Sequence, residues 1–169
     1  GVAEDAAGNI YVADGENNRI RKISTSGVIT TFAGIGTTAY SGDGGPASAA
    51  AFYGITGILR DASGNMYVAD QDNQRIRKID ASGIVTTIAG SGATGTFGGG
   101  YGGDGGQATA ARLNFPTGLA MDAGGNLYIA DQYNNRIRKI NTSGIITTVA
   151  GNGTAGLGGD GGPATAAMM

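Results

Sequence analysis

Three Asp residues each stand five positions ahead of an Arg: Asp14 and Arg19, Asp70 and Arg75, Asp131 and Arg136. A carboxylate held by a guanidinium is a candidate nucleophile or general base, and it is equally a charge staple across two strands. Recurrence decides between the two. A catalytic constellation needs unlike residues converging on one point, whereas a device copied into every repeat belongs to the framework. These six residues are therefore read as structural staples, and no catalytic residue is assigned. Asp43, Asp104 and Asp160 form a second set, each flanked by glycine. A calcium loop needs about six or more oxygens, usually from several carboxylates. Each of these loops offers one carboxylate, so the expected role is acceptance of turn N–H groups. No metal ligand is assigned, no cofactor is expected, and calcium is the one candidate left open.

The composition removes further chemistry. The 169 residues contain no Cys and no His, which excludes thiolate chemistry, an imidazole base and Cys/His-ligated metal. The formal net charge is −2, so no global field draws the chain to nucleic acid or to an anionic membrane. No apolar run is long enough to span a bilayer. Nine of the eleven basic residues lie in the three Arg-Ile-Arg-Lys segments beginning at Arg19, Arg75 and Arg136. A basic stripe for RNA is one reading. The preferred one is Arg–Asp staples, with Lys and second-Arg stems covering apolar strand surface. The chain opens without Met or a signal peptide, so it is expected to be a piece of something longer.

The elements that hold these residues repeat three times. Gly8-Asn-Ile-Tyr-Val-Ala-Asp14 returns as Gly64-Asn-Met-Tyr-Val-Ala-Asp70 and as Gly125-Asn-Leu-Tyr-Ile-Ala-Asp131. Each copy then runs through Arg-Ile-Arg-Lys-Ile, closes on Ala-Gly, and continues into Gly-Asp-Gly-Gly. Repeats of this size mark a repeat architecture. The cuts fall at residues 1–56, 57–117 and 118–169. Within a copy, four short runs rich in β-formers alternate with turn residues, which is an antiparallel meander. The 34 glycines sit at fixed repeat positions and are read as turn residues. After the fourth strand, Gly-Gly-Pro-Ala predicts a turn and a short helical segment beginning at Pro. Four-stranded units in series suggest the blades of a β-propeller. A β-trefoil also uses three copies of four strands, and counting strands leaves both open.

Tyr-Val-Ala-Asp followed by Asn-x-Arg-Ile resembles the NHL repeat. The resemblance covers essentially the whole chain, and is nearest to the long bacterial form with Gly-Asp-Gly-Gly-Pro-Ala between blades. It implies an all-β propeller of four-stranded antiparallel blades, of which three blades make half of a six-bladed ring. It implies a non-enzymatic binding or scaffold module, with an extracellular or cell-surface setting. Expected partners are a second copy or further blades of a longer chain, met head to tail, and an extracellular protein or glycan. Neither nucleic acid nor membrane is expected. The alternatives that the family carries are a calcium-dependent lactonase-like hydrolase, for which only Glu4 with Asp61 or Asp122 could be proposed, and an RNA-binding domain.

Positions that differ among the copies are the candidate contact surface, since function is grafted onto a scaffold. Near the end of the first strand these are Glu4, Arg60 and Met121. In the loop between strands two and three they are Glu16, Asp72 and Tyr133. The longer glycine loop of the second copy adds Phe97 and Tyr101.

Overall fold

The computed structural model describes residues 1–92 and 99–169. The chain is all-β, and its strands form three separate four-stranded antiparallel sheets. The first blade holds β1 (Val2–Glu4), β2 (Ile10–Asp14), β3 (Arg19–Ile23) and β4 (Ile29–Ala33). The second holds β5 (Ile55–Arg60), β6 (Met66–Asp70), β7 (Arg75–Ile79) and β8 (Val85–Ala89). The third holds β9 (Pro116–Met121), β10 (Leu127–Asp131), β11 (Arg136–Ile140) and β12 (Ile146–Ala150). Each set of four pairs only with itself in sequential order, so the arrangement is a partial β-propeller of three blades and not a β-trefoil. β5 and β9 begin at Ile55 and Pro116, so the repeat cuts before residues 57 and 118 fall just inside a first strand.

The turn between the first two strands of each blade is built by one acid. Asp5, Asp61 and Asp122 accept the backbone N–H of Asn9, Asn65 and Asn126 at 2.9, 2.8 and 2.9 Å. The same Asn side chains and the hydroxyls of Tyr11, Tyr67 and Tyr128 also donate to these carboxylates. Gly8 closes the first of these turns at a φ of +84°, a conformation that only glycine adopts without strain.

Apolar burial lies between blades. Tyr11, Ile20 and Ala33 of the first blade pack on Ile58, Met66, Val68, Ile79 and Val85 of the second. Ala69, Ile76 and Ala89 on the opposite face of the second blade pack on Leu127, Ile129, Ile140 and Ile146 of the third. A sheet with alternating side chains thus presents apolar groups on both faces. Of the three equivalent residues Val12, Val68 and Ile129, the latter two are fully buried and only Val12 lies on an open face. The far end of the molecule presents the other parity, with Tyr128, Ala130 and Ile137 half-buried.

The connection after each fourth strand is ordered in its described part. It contains a short 3-10 turn, Ala47–Ala49, Ala108–Ala110 or Ala164–Ala166, with Pro46 and Pro163 at the cap position rather than inside the turn. Phe52 and Leu113 then bury their side chains completely or nearly so. On its way the first connection lies along the outer edge of the second blade. Gly44 donates to Val85 O, and Val85 donates back to Gly45 O. The second connection repeats this with Gly105, Gly106 and Ile146. β8 and β12, which would otherwise be open edge strands, are covered in this way.

Candidate functional site

The most concentrated chemistry in the molecule is a cluster at each boundary between blades. Arg77 on β7 is fully buried. Its guanidinium donates to Asp70 Oδ2 at 3.2 Å and to Asp43 Oδ1 at 2.7 and 3.0 Å. The carbonyls of Ser41 and Ala51 take two further bonds. Asp43 also accepts the Tyr40 hydroxyl at 2.7 Å and the backbone N–H of Thr87 at 3.1 Å. The Tyr40 ring lies 3.7 Å from the Arg75 guanidinium and 4.7 Å from that of Arg77. The next boundary reproduces this arrangement. Arg138 pairs with Asp131 at 3.1 Å and with Asp104, while Tyr101 stacks on Arg136 and Arg138 and donates to Asp104.

This geometry corrects three expectations. Asp70 and Arg75 are direct cross-strand partners in register, as are Asp131 with Arg136 and Asp14 with Arg19. The ion pairs nevertheless form diagonally, to Arg77, Arg138 and Arg21. Arg19, Arg75 and Arg136 instead donate to the carbonyls of Ile35, Ser91 and Asn152, which tie the β2–β3 type of loop to the segment after the fourth strand. A ring from the previous blade holds Arg75 and Arg136 in that direction. Second, Arg77 and Arg138 are buried hubs and not stems laid over a surface. Third, Asp43 and Asp104 do not serve their own glycine turns. They reach into the following blade, where they accept an edge-strand N–H and a guanidinium.

The carboxyls respond accordingly. Burial pushes Asp43 and Asp104 up, but hydrogen bonds from Thr87 or Thr148 and from the tyrosines, together with the Arg charge, outweigh it and leave both below the usual range. Burial dominates at Asp70 and Asp131 and raises both, against the opposing N–H donors and the Arg partner. Asp61 and Asp122 are held low by the Asn and Tyr donors of their turns, which overcome burial at Asp61.

The candidate contact residues separate onto opposite ends of the strands. Glu16 and Asp72 line one groove of about 480 Å³ between the first two blades, with Asn18, Tyr53 and Gln71. Burial, and then the charge of Glu16, raises the Asp72 carboxyl. Tyr133 lies on the same rim in the third blade, where it is exposed and its ring packs 4.6 Å from Phe115. At the other end, Glu4 and Arg60 line a smaller cleft of about 290 Å³ beside Asp5 and Asp61. The Arg60 guanidinium sits over the Tyr11 ring. Met121 is half-buried and packs against the second core. Phe97 lies outside the described residues. Tyr101 is no free loop aromatic, since it is the counterpart of Tyr40 in the boundary cluster. The recurring Tyr-x-x-Asp of Tyr40 to Asp43 and Tyr101 to Asp104 is the sequence signal that points to this cluster.

Among the described residues, no group of three or more Asp or Glu side chains converges as a metal site would require. Among the same residues, no helix is long and apolar enough to cross a membrane.

Comparison with known proteins places these features. Residues 36–97 and 95–159 match the teneurin NHL domain. Human teneurin-4 is 31% identical over 153 residues, which is 86% of this chain and 5% of that protein. The chain thus spans a small fraction of the curated relatives it matches. A Bacteroides thetaiotaomicron protein of unknown function superposes with a TM-score of 0.66 at 27% identity, over 78% of this chain and 32% of its own. Virginiamycin B lyase from Staphylococcus aureus shares the fold, with a TM-score of 0.56 at 17% identity over 87% of this chain and 39% of its own. A histidine-to-alanine variant of that lyase is catalytically inactive.

Proposed function

Because the chain belongs to the teneurin NHL domain family, we propose that it is a non-enzymatic binding module that presents its β2–β3 type of loop rim to a protein or glycan in an extracellular or cell-surface setting. One observation carries this reading. The acids of the first turns and of the interblade boundaries are committed to the framework. Asp61 and Asp122 are saturated by Asn and Tyr donors, and Asp43, Asp70, Asp104 and Asp131 hold buried guanidinium groups. The lyase neighbour depends on a histidine, and this chain has none. The lactonase-like alternative is left with Glu4 alone from its proposed set. RNA binding is disfavoured because six of the nine repeat arginine and lysine side chains are the arginines already engaged with carbonyls or carboxylates.

The groove holding Glu16 and Asp72, with Tyr133 further along the rim, is the proposed contact surface. Tyrosine is enriched at protein contacts, and the two acids give the rim a charge that a complementary partner can read. The test is a glycan array and a cell-surface binding assay with the parent and with the triple variant Glu16→Ala, Asp72→Ala, Tyr133→Ala. Binding that the triple variant loses, at unchanged Tm, supports the reading. Calcium-dependent lactone turnover by the parent overturns it.

A further inference from the structure

The two internal boundaries use the same positions, yet the second has a cavity where the first places two large side chains. In the first, the Tyr11 ring is buried. Phe32 meets it edge-on at 5.0 Å, and the Arg60 guanidinium covers it at 5.0 Å. The equivalent ring in the second boundary is Tyr67. Ile88 stands there in the place of Phe32, and Met121 in the place of Arg60. Both replacements are less bulky, and a cavity of about 310 Å³ lies beside the Tyr67 ring, with buried Leu127 and Ile140 completing its apolar wall. Its polar part differs as well. Asp80 of the first boundary becomes Asn141, and Ala81 becomes Thr142. Lys22, Arg60 and Asp80 thus bring charges of both signs to the first boundary, whereas Lys78 is the one charged side chain lining the cavity of the second among the described residues. Its ammonium stands 6.0 Å from the centre of the Tyr67 ring. Among the described residues Lys78 makes no ion pair.

We propose that this cavity binds a small aromatic carboxylic acid, with its ring against Tyr67 and its carboxylate between the Lys78 ammonium and the Asn141 amide. The first boundary supplies the argument for the ring, since there a phenyl group takes the corresponding place against a tyrosine, in the edge-to-face arrangement that aromatic pairs prefer. Charge supplies the argument for the acid. The Asn141 oxygen already accepts the backbone N–H groups of Ser143 and Ile145, so this side chain offers its amino group to a ligand. With the Lys78 ammonium and the Thr142 hydroxyl, the polar side of the cavity is rich in donors, which is the lining a carboxylate requires. Asp61 is not part of that lining, and its charge is taken up by Asn65 and by the Tyr67 hydroxyl. Burial, and then the Asp61 charge, pushes the Tyr67 phenol up to about 12, so the ring stays neutral beside an anion. A mostly apolar cavity of this size, with a few placed polar groups, lies at the small end of the range for ligand sites. It opens at the end of the strands opposite the Glu16 rim, and the inference is independent of what that rim binds.

Titration of the whole chain with phenylacetate tests it, followed through the ring resonances of Tyr67, with phenylacetamide as the uncharged control. Phenylacetate is expected to shift these resonances saturably at about millimolar concentration or below, and the amide to bind at least about fivefold more weakly. Ile88→Phe rebuilds the first boundary inside the second and is expected to abolish binding without lowering the Tm. Lys78→Gln is expected to keep the fold and to lose the preference for acid over amide. Should Ile88→Phe fail to fold, the Lys78 variant decides alone. Three results would each overturn the proposal: no saturable shift at Tyr67, equal affinity of the parent for acid and amide, or a preference for the acid that survives Lys78→Gln. A folded Ile88→Phe chain that binds as the parent does would overturn it as well.

Discussion

Asp43 and Arg77 lie 34 residues apart and in different blades, yet their carboxylate and guanidinium meet at 2.7 and 3.0 Å. The pair fastens the first connection to the second blade, and its arginine is fully out of water. Removing one partner of a buried pair leaves an uncompensated charge and costs about 3 kcal/mol. Asp43 is itself partly exposed and Asp70 remains to hold Arg77, so Asp43→Ala is expected to cost less, about 1–2 kcal/mol. Asp160→Ala, measured by denaturant unfolding, is expected to change stability by less than about 0.5 kcal/mol.

The same sequence motif should carry different energies in different blades. Asp131 is fully buried with Arg138, whereas Asp14 and Arg21 are partly exposed and 3.6 Å apart. Asp131→Ala is expected to destabilise by about 3 kcal/mol, and Asp14→Ala by less than about 1 kcal/mol. Equal losses in a urea titration would show that the repeat motif, and not its neighbour, sets the energy.

Tyr101→Leu copies the third repeat into the second. It removes the ring from above Arg136, 3.8 Å away, and the hydroxyl from Asp104. A partly covered cation–π contact contributes about 1 kcal/mol, so a Tm lowered by several degrees is expected. An unchanged Tm would show that the stack is dispensable.

Acid should act on the turns between first and second strands. Hydrogen bonds from Asn9 lower the Asp5 carboxyl from 3.8 to about 2. A folded pKa below the unfolded one means that the unfolded chain takes up its proton first as the pH falls. The stabilisation is therefore complete above 3.8 and is lost as the pH falls towards 2. Asp5→Asn should flatten the stability profile across that interval, and the Asp5 side-chain resonance should titrate near its lower end. A midpoint at the ordinary carboxylate value would remove the hydrogen-bond account.

Strand content and blade count were legible because they are local. Runs such as Met66-Tyr-Val-Ala-Asp70 are short, rich in β-formers and bounded by turn residues. The choice of Arg77 over Arg75 was not legible. Both lie on the same face of β7, and the decision is made by Tyr40 and Asp43, which arrive from the preceding blade. Register fixes which side chains share a face, but a partner from outside the sheet decides which of them pair. The groove of Glu16 and Asp72 was half legible. Variation among copies singled out both residues, while their convergence depends on two blades standing side by side.

The connection that runs along the edge of β8 has a consequence for recombination. A blade defined by its four strands is not the unit that can be exchanged between homologues. Both interblade ion pairs join an acid upstream of a sheet to an arginine within it, at the same chain separation. A crossover placed between Asp43 and Arg77 hands the acid to one parent and its arginine to the other. A crossover placed inside the second sheet, after Arg77 and before Asp104, transmits each fastening whole. Chimeras of such propellers are therefore better spliced through a sheet than between sheets, against the habit of cutting at loops.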